Sequence, residues 1–233
     1  MHRRQFHAAN LIAAVSLMAH WRAAQAISLA DLSGADASSG LKLALEKGAT
    51  AAVGLLGAQD GFMGNDKVRI ALPGYLNEAA KWLKMMGQGQ RVDELVLSMN
   101  RAAETAMPMA KDMLVGAVKS MSVSDAKTIL QGGNTAATEY FTRKTREPLG
   151  VKFLPVITQA TAQVGLADKY NAIAGKASSL GLLKPQDASL ESYVTGKALD
   201  GLYLMMGEEE KKIRQDPIGT GNALLGKVFG SLK

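Results

Sequence analysis

Asn100, Arg101 and Glu104 are the polar residues best placed to do chemistry in this chain. They interrupt an apolar stretch that holds Leu95, Val96, Leu97 and Met99. On a helix, Asn100 and Glu104 lie four apart on one face, and Arg101 and Glu104 lie three apart and adjacent. Charges on an apolar helix need partners. Two readings stand for the trio. It is a closed network that fixes helix packing, or it is a ligand-binding anchor in which Arg101 holds an anionic head group.

Three further clusters carry charge. Asp60, Asn65 and Asp66 fall in or beside a glycine-rich stretch, 57–65. Oxygen ligands on a loop suit calcium, but their spacing departs from the alternating EF-hand pattern. Turn chemistry accounts for Asp and Asn equally well, so no metal site is expected. Glycines 57, 61 and 64 are not followed by Gly-Lys-Ser/Thr, so they make no phosphate loop. Glu208, Glu209 and Glu210 precede Lys211, Lys212 and Arg214. Glu208–Lys212 and Glu210–Arg214 have the favourable i,i+4 order and read as a solvated helix face. Arg143, Lys144, Arg146 and Lys152 form a basic cluster without interleaved aromatics, which reads as surface and not as a nucleic-acid site.

The missing residue types exclude more than the present ones suggest. All three histidines (His2, His7 and His20) fall in the first twenty residues, and there is no cysteine. The same stretch has the layout of a cleavable export signal, 1–26. Basic Arg3-Arg4 precede an apolar run from Ala8 to Ala19, and Ala24-Gln25-Ala26 supplies a small-x-small cleavage site. The run is too short to span a bilayer. Arg3-Arg4-Gln5-Phe6 fits a twin-arginine signal as well as an ordinary secretion signal. Without 1–26 the chain has neither imidazole nor thiol. Ser-His-Asp and Cys-His mechanisms fail, and zinc, haem and iron–sulfur sites lose their usual ligands. No cofactor is expected. Catalysis would fall to carboxylate, lysine, tyrosine and hydroxyl groups, alone or with a divalent metal.

Three of the six net positive charges are Arg3, Arg4 and Arg22. The remainder is spread along the chain, so no nucleic-acid partner is expected. Aromatics make up 5% of residues while Ala, Leu, Met and Gly are plentiful, a composition that favours helix over sheet. No segment of the mature chain is apolar enough to span a membrane.

The elements that must hold these residues follow from periodicity. Residues 27–39 form a flexible lead-in, and 40–233 a single helical domain. Leu41, Leu45, Ala49, Ala52, Val53 and Leu56 stripe a first helix. Val68, Ile70 and Leu72 alternate up to Pro73 as one short extended segment. A helix from Leu76 to Met86 turns Ala79, Ala80, Leu83 and Met86 inward. The longest and most apolar helix runs from Val92 toward Met121, divided or kinked at Pro108. Ser122 and Asp125 suit a capping box for a short helix ending at Gly132-Gly133. Asn134 or Thr135 caps a helix through Tyr140 and Phe141, and Pro148 begins another that Pro155 kinks. Helices over 166–180, 190–214 and 222–232 complete the chain. The expectation is an all-α, compact multi-helix bundle of about eight or nine helices, several Pro-kinked. In the last of them Leu224, Leu225, Val228, Phe229 and Leu232 make an amphipathic face for the core, a membrane or a partner.

Several stretches resemble an exported bacterial family, domain-of-unknown-function family 4197. They are Val92-Asp93-Glu94-Leu95, Met99 to Glu104, Asp125-Ala126-Lys127, Ile129-Leu130 to Gly132-Gly133, and Ala136 to Phe141. Lys197 to Leu202 and the tail Glu208 to Gly221 also fit. The resemblance spans about Gly40 to Leu232. It implies an envelope address and one helical domain, and it supplies no reaction. The expectation is therefore a periplasmic or otherwise exported protein, more a binder than an enzyme. Its natural ligand would be a lipid or other amphiphile enclosed between Met-, Leu- and Ala-rich helices. A structural or partner-binding module of the envelope is the alternative, and a carboxylate- or metal-dependent enzyme the second alternative.

Overall fold

Leu41, Leu45, Ala49, Ala52, Val53 and Leu56 are all buried along one face of α1 (Gly34–Gly57). The computed structural model describes residues 34–162, 171 and 189–216. Helix α1 begins six residues before the expected start at Gly40, so 34–39 of the expected lead-in are helical. Periodicity misses this turn because Ala and Ser offer no large side chain to bury, although alanine favours helix strongly.

Helix α1 ends in a tight turn where Asp60 adopts a positive φ of 63°. A Cβ on Gly61 would stand 2.4 Å from the Leu55 carbonyl oxygen, so only glycine lets the chain double back here. The segment beyond alternates as expected: Val68 and Ile70 are buried, while Arg69 and Ala71 are exposed. No strand forms among the described residues.

A 3-10 turn, Gly74–Leu76, leads into α2 (Asn77–Met85). Met86, expected inward, is exposed together with Trp82 and Met85. Among the described elements the helix packs chiefly on α3. Ala79 and Leu83 lie outside the described side chains.

Helix α3 (Gly89–Ala106) and α4 (Ala110–Lys119) are separated by a 3-10 turn, Met107–Met109, at Pro108. Met99, Ala102, Ala103, Ala106, Ala110 and Leu114 form an unbroken buried stripe through that turn. The stretch is central, but it is not the longest helix, and Leu97 faces solvent.

The capping box of α5 (Val123–Gln131) forms as expected, with Ser122 and Asp125 each accepting the other's backbone N–H. The Ser122 hydroxyl, and then its backbone N–H, donate to Asp125 Oδ2 and hold that carboxyl below its usual range.

Helix α6 (Ala136–Ala162) corrects the expected break, because it runs continuously through Pro148 and Pro155. A proline inside a helix frees the carbonyl four residues earlier. Here those residues are Lys144 and Val151, both exposed, so water can satisfy the freed groups. The prolines lie seven apart on the outer face, while Phe141, Thr145, Leu149, Phe153 and Ile157 keep the inner face buried. That continuous packing outweighs a local cost of about 3 kcal/mol per proline.

Helix α7 (Leu190–Gln215) starts at a Ser189 cap and lies antiparallel to α6. Thr145 meets Tyr203, Arg146 meets Asp200, and Thr138 meets Glu210. This pair is the largest helix–helix contact of the fold. The fold is all-α. Its described helices are fewer than the expected eight or nine, and those expected over 166–180 and 222–232 lie outside the described residues, as does the stretch 1–26. No described helix is long and apolar enough to cross a membrane.

Candidate functional site

Asn100 lies fully buried on α3 and faces the extended segment. Its Oδ1 accepts the Ile70 N–H at 2.8 Å, and its Nδ2 donates to the Ile70 carbonyl at 2.9 Å and to the Val96 carbonyl at 2.7 Å. The side-chain amide therefore does for Ile70 what a neighbouring strand would do. One turn on, Glu104 Oε1 accepts the N–H groups of Phe62 and Met63, each at 3.1 Å. Arg101 donates to Glu104 Oε2 at 2.6 Å and to Asp60 Oδ1 at 2.7 Å. Those two carboxylates raise the guanidinium pKa above its usual value. Glu104, Arg101 and Asp60 form one network at the turn, and Asn100 separately ties Ile70 to α3.

A second network of the same kind was read in the sequence as a solvated face. Glu210 on α7 is buried. It accepts the Ala137 N–H at 3.0 Å, and the Thr138 N–H and hydroxyl at 2.8 and 2.9 Å. The leading amides of α6, which have no partner within the helix, are thus capped by a carboxylate from another helix, in the expected place of Asn134 or Thr135. Arg214 holds Glu210 through two nitrogens and donates to the Ile129 carbonyl of α5. Glu208 pairs with Lys67 and Lys211, and Lys212 with Glu209, in place of the expected Glu208–Lys212 pair. Sequence spacing alone signals only the Glu210–Arg214 step.

The remaining calcium candidates are spent locally. Asn65 Oδ1 accepts the Lys67 N–H, and Asp66 lies exposed. Among the described residues no group of three or more His, Cys, Asp or Glu side chains could hold a metal ion.

Space for a ligand lies elsewhere, between the outer edges of α6 and α7. A solvent-open groove of about 790 Å³ runs along the pair, within the size range of small-molecule sites. One end is charged. Arg143, Arg146 and Glu147 line it from α6, and Asp200 from α7. Arg146 donates to Asp200 at 2.6 Å and lies over the Tyr203 ring. Burial pushes the Tyr203 phenol above its usual value, opposed by its hydrogen bond with Thr145 and by the Arg146 charge. The other end is apolar, with exposed Val151 and Leu154 on α6. Gly196 lies between the two ends, and a Cβ there would meet nothing within 4 Å. Of the expected basic cluster, Arg143 and Arg146 reach this groove, while Lys144 and Lys152 do not line it. The groove escaped sequence analysis because two helices separated by a long connection build it.

Two buried carboxylate clamps and an open interhelical groove on an all-α fold define a helical scaffold. The family model described as "Protein of unknown function (DUF4197)" matches residues 31–230, and the chain belongs to that family. No curated protein matches the chain, and neither does any solved structure.

Proposed function

We propose that this chain is an exported envelope protein that binds an amphipathic ligand without catalysing a reaction, and that the α6–α7 groove is its binding site. The observation that carries the proposal is the two-ended lining of the groove. At one end the guanidinium groups of Arg143 and Arg146 stand beside the carboxylates of Glu147 and Asp200, the latter bonded to Arg146, and Val151 and Leu154 stand at the other. An amphiphile with an anionic head matches that order. The location moves from Asn100, Arg101 and Glu104, whose polar atoms are engaged within the fold. The layout of 1–26 supports the envelope address.

Native mass spectrometry of the protein purified gently from its own envelope tests the reading. A reproducible excess mass, lost on denaturation and absent from Gly196→Leu, is expected. A bare mass in wild type after gentle isolation counts against it. N-terminal sequencing of the same material should begin at Ile27, and an intact Met1 in the envelope fraction would remove the export step.

A second reading rests on α2. Trp82, Met85 and Met86 are i, i+3 and i+4 on one helix, and all three are exposed. An outward apolar face containing Trp is a common anchor for a protein partner. Crosslinking through a photoreactive group at position 85 would reveal such a partner.

A further inference from the structure

The floor of the groove covers one described side-chain oxygen that the fold leaves unsatisfied and closed to solvent. Thr195 lines it from α7, is buried, and its hydroxyl has no hydrogen-bond partner. The contrast with its neighbours is direct. Thr105, Thr128, Thr142, Thr145, Thr158 and Thr161 each donate to the carbonyl four residues earlier in their helix. Thr195 lies well inside α7 and makes no such bond. A buried hydroxyl without a partner costs about 1–3 kcal/mol. A valine would fill the same space without that cost, so the hydroxyl has no role in packing.

Its position along the groove defines what could satisfy it. Thr195 adjoins Gly196, where the missing side chain leaves the groove open. The hydroxyl oxygen is closed off from solvent as it stands, and a rotation about χ1 is needed to turn it into the groove. Asp200, at the charged end, lies five residues on, about 7–8 Å along the helix axis. Val151 and Leu154 of the opposing helix mark the apolar end. A ligand in register would carry an anion first, a neutral hydrogen-bond acceptor about 7–8 Å further along, and then a chain.

We infer that the groove takes a single-chain acyl lipid with an anionic head, and that Thr195 donates to its ester or amide carbonyl. This rests on the proposal that the groove is the binding site. Arg143 and Arg146 face the head, the Gly196 gap admits the carbonyl beside Thr195, and the acyl chain runs over Val151 and Leu154. Thr195 thereby becomes the residue that distinguishes an acyl lipid from a simple alkyl anion.

Calorimetric titration of the full chain tests this with two monomeric probes, palmitoyl lysophosphatidylglycerol and hexadecyl phosphate, which lacks the carbonyl. Thr195→Val should weaken the acyl probe by about three- to tenfold, the value of one hydrogen bond. The same variant should leave hexadecyl phosphate unchanged, and Thr195→Ser should keep wild-type affinity for both. An unchanged or raised Tm for Thr195→Val shows that the fold is intact. Gly196→Leu should abolish binding of both probes. If Gly196→Leu abolishes binding but Thr195→Val treats both probes alike, the acyl assignment fails and the groove proposal stands. Should wild type bind neither probe, or Gly196→Leu bind both normally, the groove proposal fails and takes the assignment with it. Displacement of the acyl probe by an equal concentration of inorganic phosphate would reduce the site to an anion site and also overturn the assignment.

Discussion

Glu104 and Glu210 perform the same task in different settings. Each carboxylate is 6% exposed, accepts two successive backbone N–H groups and is gripped by an arginine on its own helix. Glu104 stabilises a turn, whereas Glu210 caps a long helix and, through Arg214, reaches a third. Their arginines differ more. Arg214 is 10% exposed and ends on a backbone carbonyl, while Arg101 is 35% exposed and ends on exposed Asp60. Water can replace the partner of Arg101 far more readily than that of Arg214. The chemistry of a buried carboxylate thus says little about its worth until the exposure of its cation is known.

The contrast can be broken by mutation. The largest effect is expected for Glu210→Ala, which removes the buried carboxylate that Arg214 grips and uncaps α6, at about 3–5 kcal/mol of stability in urea denaturation. Glu104→Ala should cost less, about 2–3 kcal/mol, because Arg101 can rehydrate. Equal losses from the two would remove the distinction. Gly201 and Gly196 of α7 offer a second pair. A Cβ at Gly201 would meet Phe62 at 2.7 Å, so Gly201→Ala should cost about 1–3 kcal/mol by overpacking. Gly196→Ala should add about 0.4–1 kcal/mol, since its Cβ meets nothing. Thermal melts of the two variants should therefore shift in opposite directions. The smallest effect falls to Asp60→Asn, which loses an exposed ion pair worth about 0.2–1 kcal/mol. That loss should shrink further in high salt, and a salt-independent loss would mean that the turn and not the charge is responsible.

Much of the scaffold was legible because its signals are local. The stripe of α1, the capping box at Ser122 and the break at Pro108 all depend on residues within a few positions of each other. The misreadings share a different cause. Pro148 and Pro155 signal breaks locally, but the inner face of α6 packs continuously, and that outweighs them. Met86 has the spacing of a core residue, yet no described element covers it and it stands exposed. The Arg101–Glu104 pair was legible because its members are sequence neighbours, while the backbone groups that Glu104 and Asn100 serve, on Phe62, Met63 and Ile70, were not. Glu210 was misread for the same reason, since the amides it caps lie 73 and 72 residues upstream. The groove and the unsatisfied Thr195 hydroxyl are products of tertiary structure with no local signature.

The distance between Glu210 and the helix start it caps also orders events in time. A polypeptide emerges N-terminus first. When the last residue of α6 has been made, the acceptor for its leading amides does not yet exist, and it arrives only near the end of α7. A chain arrested between Ala162 and Glu210 contains every residue of α6 but lacks the cap that α7 contributes. Completion of α7 therefore closes the bundle, and it leaves a partly made chain open to whatever handles it before synthesis ends.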